Sequence, residues 1–469
     1  MQTSSRSLSV FALTMINIAA ICNIKNFPLS ALYGLSAVFF YALAALIYFI
    51  PIAFVSAELA TGWPKRGIYT WVSEAMGGRM GFLAVWLQWV ENIIWYPTIL
   101  SFIAGTMAYT FNPEYANHKL YVLFVVLTCF WAVTFLNFLG MRVSGWISTM
   151  AALLGTIIPG FFIITLGFVW WFTGQGSQTP LNWSAFFPDL SNINQLVIFS
   201  GILLALAGME MSGVHATEVE NPQKDYPKAI FISSLIILFL SSVGSLSVAI
   251  VVPKNAISLA SGSMEAFSVF LGNYQINWLI PFIALIMSLG ALGMMSTWIV
   301  GPTKGVFAAA IDGDLPPLFQ KRNKKDMPTT ILLVQALFVT LLSSVFLFMP
   351  SVSSSYWILV NMTVQIYLIM YFIMFLSAII LRYKQPDTPR PYRIPGKYGL
   401  HFVAGLGMLS CLFSFLLGFL PPEQIDTGSA WSYELILIVG IAFFILAPLV
   451  IYANKQESWN LQKSPRGKG

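Results

Sequence analysis

The sequence predicts an all-α membrane protein of twelve transmembrane helices, the first and sixth of them discontinuous, in one domain covering 1–469. Three observations carry this. Hydrophobic residues make up 57% of the chain and charged residues only 9%, against about 25% charged in an average soluble domain. A soluble fold would therefore need one enormous core with almost no polar surface, whereas lipid can face the excess. Twelve apolar segments each supply the roughly 20 residues that cross about 30 Å of hydrocarbon. Finally, the basic residues collect in alternate loops.

In chain order the segments are 8–32, 35–60, 81–110, 120–139, 145–172, 194–216, 228–252, 275–309, 329–349, 355–382, 400–420 and 432–453. The first follows Arg6 and resembles a signal peptide. It lacks a small-residue cleavage site and further spans follow, so it reads as a retained helix. With both termini cytoplasmic, all but three of the 24 Lys and Arg residues fall on the cytoplasmic side. Lys119 and Lys254 lie outside, and Lys25 stays within the first span. This is the positive-inside asymmetry. It assigns the net charge of +6 to topology, with no nucleic acid needed, and the location expected is a bacterial inner membrane. Cys22, Cys129 and Cys411 lie in apolar stretches with no pairing pattern, so neither a disulfide framework nor a zinc site is expected. No metal or cofactor is expected.

Two spans carry breaks. Span 1 reads Ile21-Cys22-Asn23-Ile24-Lys25-Asn26-Phe27-Pro28, polar residues in an apolar run followed by a proline that lacks a backbone donor. Span 6 reads Gly208-Met209-Glu210-Met211-Ser212-Gly213, two glycines around a carboxylate. Unwound backbone at membrane depth survives only where it lines protein or a wet cavity. Interrupted helices in corresponding positions of two halves point to a transport site, and spans 1 and 6 open two successive five-helix blocks. Half-helix N-termini facing each other there would offer amides to a substrate carboxylate. The competing reading is that Gly and Pro are simply common in transmembrane helices.

Three ionisable residues sit at membrane depth: Lys25, Glu91 and Glu210. A charge at the bilayer centre costs about 2.5–3.5 kcal/mol on insertion scales, so each should face the interior and find a partner. Lys25 either meets a substrate carboxylate or occupies a coupling-cation position, while Glu91 or Glu210 takes a proton or the substrate amine. The alternative is a buried Lys25–Glu91 or Lys25–Glu210 pair that only holds helices together. His215, just beyond Glu210, could titrate near neutral pH or be a packing histidine. Trp298, Tyr367 and Tyr371 lie in polar-flecked segments. The two tyrosines are four apart and share a helical face, a pattern that by itself reads as core packing.

Four motifs carry a resemblance over nearly the whole chain: Ala57-Glu58-Leu59 with Pro64-Lys65-Arg66-Gly67-Ile68-Tyr69; Glu218-Val219-Glu220-Asn221-Pro222 with Tyr226-Pro227-Lys228; Asp314-Leu315-Pro316-Pro317; and Arg390-Pro391-Tyr392-Arg393-Ile394-Pro395-Gly396. In this order they resemble the amino acid–polyamine–organocation transporter superfamily. Ser296-Thr297-Trp298-Ile299-Val300-Gly301-Pro302 is further similar to span 8 of the bacterial glutamate/γ-aminobutyrate antiporters. The resemblance implies a LeuT-type five-plus-five inverted-repeat core over 8–383 with two added helices over 400–453. It implies a substrate between spans 1, 3, 6, 8 and 10, with Ile21, Cys22, Asn23 and Lys25 from the first break. Gly208, Met209 and Glu210 would come from the second, Met294 and Trp298 from span 8, and Tyr367 and Tyr371 from span 10. Lys25, Glu91, Glu210 and His215 would be the coupling or gating groups. Met294 stands where those antiporters carry an acidic residue, and Lys25 falls near the position of a span 1 tyrosine, so the charge of the selecting region differs.

The function expected is alternating-access transport of amino acids, as an antiporter related to glutamate/γ-aminobutyrate exchange. A proton-coupled amino-acid or polyamine symporter is the alternative. The partners expected are an amino-acid substrate, the bilayer and possibly protons, in a monomer or homodimer. No H-E-x-x-H, G-x-S-x-G or P-loop supports an enzyme or an ATP-driven pump, and no filter-like repeat or charge ring supports a channel.

Overall fold

A computed structural model describes residues 8–139, 150, 153–191, 193–210 and 221–460. The helices that position the site are α1 (Val10–Ile21), α2 (Phe27–Ala31), α3 (Ser36–Gly62), α4 (Ile68–Met76), α5 (Gly78–Ala108), α6 (Lys119–Phe138), α7 (Leu153–Phe172) and α8 (Phe199–Ala205). They continue with α9 (Pro222–Ala249), α10 (Gly262–Asn273), α11 (Ile280–Ile311), α12 (Thr329–Phe348), α13 (Val352–Lys384), α14 (Gly399–Leu417) and α15 (Ala430–Ala453).

Among the described residues, nine helices are long and apolar enough to cross a membrane: α3, α6, α7, α9, the Asn277–Met295 part of α11 with its leading turn, and α12 to α15. Large apolar side chains such as Phe124, Leu341 and Phe402 stand exposed on them, as a lipid-facing surface requires. Three other expected spans fall outside this set. Span 1 is broken into short helices, span 6 is described only as far as Glu210 and its helix α8 ends at Ala205, and α5, although 31 residues long, carries Gln88, Glu91 and Asn92 near its middle. These are the segments whose polar residues turn inward.

The first break needs no glycine. α1 ends at Ile21, Cys22 and Asn23 are extended, and the Asn23 side chain accepts the Lys25 N–H at 3.0 Å to start a single 3₁₀ turn, Ile24–Asn26. Pro28 then falls in the first turn of α2, where its missing donor costs nothing. The second break uses Gly208, whose φ of +105° is a conformation that side chains disfavour. Its N–H, lost to the helix, donates instead to the Tyr371 hydroxyl at 2.9 Å.

α5 forms the axis of the bundle, packed against α11, α13 and α15, and is buried along most of its length. Three of the four sequence motifs meet at one end. The Glu58 carboxylate accepts from Arg382 at 2.7 Å, from the Ile394 N–H at 2.8 Å and from Arg390 at 3.4 Å. Asp314 takes the Tyr69 hydroxyl at 2.8 Å and Lys455 at 2.6 Å, and Arg66 pairs with Asp312. Much of the remaining motif, Glu218–Glu220, lies outside the described residues.

At the opposite end of α5, α10 docks on the first break through Ser263, which donates to the Ile24 carbonyl at 3.0 Å. Glu265 caps the preceding turn, accepting from the Ser258 N–H and the Ser261 hydroxyl, each at 3.1 Å. Burial pushes its carboxyl up to about 6, outweighing those two bonds. An acid whose folded-state pKa is raised stabilises the fold while protonated and loses that contribution as pH rises from about 4.5 to about 6. The loss is at most about 2 kcal/mol. The melting temperature of wild type relative to Glu265→Gln should therefore fall across this interval, and a constant difference would remove Glu265 from the pH response.

Candidate functional site

The two breaks, α5 and α11 enclose a cavity lined by Ile21, Asn23, Lys25, Asn26, Glu91, Asn92, Trp95, Leu204, Ala205, Ala207, Gly208, Met294, Trp298 and Tyr367. Its space for water centres is about 70 Å³. One water needs about 10–15 Å³ on that measure, so the space suits a few waters or one small solute.

Lys25 is 2% exposed. Its ammonium donates to Thr98 Oγ1 at 3.1 Å and lies 4.8 Å from the Trp95 ring centre and 5.8 Å from that of Tyr356. Glu91 is buried too and accepts a close bond from its neighbour Asn92, which also donates to the Gln88 carbonyl at 2.9 Å. No ion pair among the described residues includes Lys25, Glu91 or Glu210. The alternative of a helix-locking Lys25–Glu91 or Lys25–Glu210 pair is therefore not realised. Lys25 and Glu91 instead line one cavity without pairing with each other.

Glu210 stands behind the cavity wall. Its two carboxylate oxygens accept from Tyr367 at 2.6 Å and Tyr371 at 2.5 Å. Tyr371 also holds the Gly208 N–H, so one hydroxyl ties the backbone break to the carboxylate. The spacing of four that read as packing in the sequence places both phenols on one acceptor, with ring centres 4.6 Å apart. Trp298 lies 6.2 Å from the Trp95 ring, and its carbonyl accepts the Tyr96 hydroxyl at 3.0 Å. Asn23 donates to the Met294 sulfur at 3.9 Å, bridging the first break to α11.

Of the residues anticipated from sequence, Ile21, Asn23, Lys25, Glu91, Gly208, Met294, Trp298 and Tyr367 line the cavity; Cys22, Met209, Glu210 and Tyr371 do not. Cys22 borders a separate small apolar void with Phe27, Gly160 and Leu240, because the extended backbone turns alternate side chains to opposite sides. His215 lies outside the described residues. Sequence reasoning took Asn26 only as part of the first break and missed Asn92, Trp95 and Thr98. Glu91, Trp95 and Thr98 follow the i, i+4, i+7 spacing of one helical face, a signal Glu91 itself could have prompted. Leu204, Ala205 and Ala207 carry no chemical signal and enter only because α8 ends beside them.

A model of the amino acid permease family matches residues 8–443. The chain is 44% identical over 97% of its length to an uncharacterised transporter of Legionella pneumophila, 98% of which is covered. It is 32% identical to a glutamate/γ-aminobutyrate antiporter of Lactococcus lactis over 96% of this chain and 91% of that protein. A probable agmatine/putrescine antiporter of the same species is 24% identical over 97% of each. With apolar membrane-crossing helices around a cavity that holds buried polar side chains and a family match over most of its length, this multi-pass membrane protein belongs to the amino acid permease family of the amino acid–polyamine–organocation superfamily.

Proposed function

We propose that the chain is a secondary active transporter that exchanges amino acids across a bacterial inner membrane by alternating access. One observation carries the reading: Lys25 and Glu91 face the same cavity beside two broken helices, unpaired with each other. A zwitterion fits such a space, its carboxylate at Lys25 and its ammonium at Glu91. The twelve-helix arrangement proposed is a five-plus-five inverted repeat over 8–383, with 400–453 added, and both termini cytoplasmic. Gly208 supplies open backbone to the substrate, while Ile21, Asn23 and Met294 shape the floor. Trp298 covers the substrate, and Tyr367 and Tyr371 relay its arrival to Glu210. Similarity to two antiporters favours exchange. A proton-coupled symporter is the second reading, favoured by Glu91, a buried carboxylate with no cationic partner among the described residues.

Proteoliposomes separate the two. Labelled amino-acid uptake should accelerate when unlabelled amino acid is loaded inside. Uptake driven by a proton gradient and indifferent to internal substrate would replace the antiporter with the symporter. A thermal-shift screen of amino acids and amines on detergent-solubilised protein identifies the substrate class, since bound ligand raises stability by mass action.

Glu210→Gln should cut exchange about tenfold or more while the protein still elutes as a folded species. It replaces two charge-assisted bonds, worth about 1.5–3 kcal/mol each, with neutral ones of about 0.5–1.5. Unchanged exchange across pH would remove Glu210 from the mechanism.

A further inference from the structure

A second cleft, of about 570 Å³, opens at the motif-bearing end of the molecule, between the end of α13, the loop after it and the start of α14. Arg382, Arg393, Lys397, Tyr383, Tyr398 and His401 line it, and among the described residues no Asp or Glu lines it. Arg382 is committed to Glu58. Arg393 and Lys397 form no ion pair among the described residues.

The loop is built to present these two cations. Gln223 grips the Arg393 backbone from both sides, donating to its carbonyl and accepting its N–H, each at 2.8 Å. Gly396, at φ +82°, turns the chain so that Lys397 lies over the Tyr398 ring, 5.4 Å from its centre. α14 then begins without a side-chain cap. In its first turn His401 Nε2 meets the Tyr383 hydroxyl at 2.8 Å, while Nδ1 is buried with no partner. Two cations with no ion pair among the described residues and an uncapped 19-residue helix, around a cleft with no acid among its described lining residues, suit a phosphate-like anion.

Position selects the anion. Tyr383, Tyr398 and Phe402 are exposed around the cleft, the aromatic fringe of a membrane–water boundary. From there the outer face of α14 continues as exposed Leu409, Phe413 and Leu416. A charged hole opening onto an apolar slope matches one molecule with a phosphate at one end and acyl chains at the other. We propose that this cleft binds the headgroup of an anionic phospholipid, with its phosphate between Arg393, Lys397 and the first turn of α14, and its chains along Phe402, Leu409 and Phe413. Basic pockets on transmembrane helices hold such headgroups. The same loop carries Arg390 to Glu58, so the lipid would also brace that buried cluster.

The test uses the full chain in detergent with three probes: phosphatidylglycerol, phosphatidylcholine and inorganic phosphate. Phosphatidylglycerol should raise the melting temperature, phosphatidylcholine should do so much less, and inorganic phosphate at the same concentration should have little effect. Neutralising each cation should weaken phosphatidylglycerol binding about fivefold, and Arg393→Gln with Lys397→Gln about 25-fold. The charge-preserving pair Arg393→Lys with Lys397→Arg should retain binding. Should the neutral double variant aggregate, Lys397→Gln alone carries the expected fivefold loss. Equal shifts from the two lipids, or unchanged phosphatidylglycerol affinity on neutralisation, would overturn the site. A full shift from inorganic phosphate alone would make it a receptor for free phosphate and overturn the lipid assignment.

Discussion

Lys25→Met raises the melting temperature of the purified protein and weakens its binding of substrate about 100-fold. The ammonium is buried, and among the described residues its polar contact is a single hydroxyl, Thr98, with two aromatic rings nearby and no carboxylate within ion-pair distance. A buried charge without a counter-charge is a cost to the fold, and a methionine of similar length removes it while filling the space. The same change deletes the proposed charge-assisted contact to the substrate carboxylate. Truncating one side of a buried charge pair costs about 2–5 kcal/mol, which brackets a hundredfold loss. Opposite signs for stability and binding are the signature of a group kept for function at the expense of the fold. Thermal shift and substrate titration on one sample read both. A lowered melting temperature with unchanged affinity would make Lys25 a structural residue and remove the proposed carboxylate site.

The second large effect is on folding alone. Glu58→Gln lowers stability by about 3–5 kcal/mol, the cost of breaking a buried ion cluster from one side. The carboxylate is the single anion facing Arg382 and Arg390 in the ion pairs of the described residues, and the three side chains are 4%, 10% and 2% exposed. The Nε atoms of both arginines already lack partners, and their other acceptors are neutral carbonyls, Gln385 at 2.7 Å from Arg390 and Ile394 at 3.5 Å from Arg382. The variant should lose several degrees of melting temperature or fail to purify as a folded species. Adding Arg390→Met should restore part of the loss by removing the orphaned cation. A melting temperature within a degree of wild type would show that water reaches the cluster and screens it. Because Glu58 lies outside the cavity, substrate affinity of the surviving folded protein should be unchanged.

Much of the molecule was legible from residues alone. Apolar length and loop charge predicted membrane helices, and nine of the expected spans appear as helices of that kind. Of the polar residues that spoiled the apolar pattern, Asn23, Lys25, Asn26 and Glu91 line the cavity and Glu210 stands behind its wall, because lipid tolerates such groups only where they turn inward. The break in span 1 was less visible because it is made by an Asn cap and a well-placed proline instead of a glycine. Trp95 and Thr98 were missed because an aromatic and a threonine in an apolar helix have no distinguishing chemistry until a neighbour such as Lys25 is set against them.

By itself, then, the sequence determined that this chain lives in a membrane, where nine of its apolar helices run, and which few polar groups must hide from lipid. Those conclusions rest on solvation, which each segment experiences largely on its own. Only the tertiary structure decided partnership. It placed Lys25 beside Thr98 instead of a carboxylate, joined Tyr367 and Tyr371 to Glu210 across more than 150 residues, and turned Cys22 away from a cavity that both its neighbours line. Pairing depends on which faces of distant helices meet and on backbone angles at two short breaks, and neither is encoded in the local pattern of any one span.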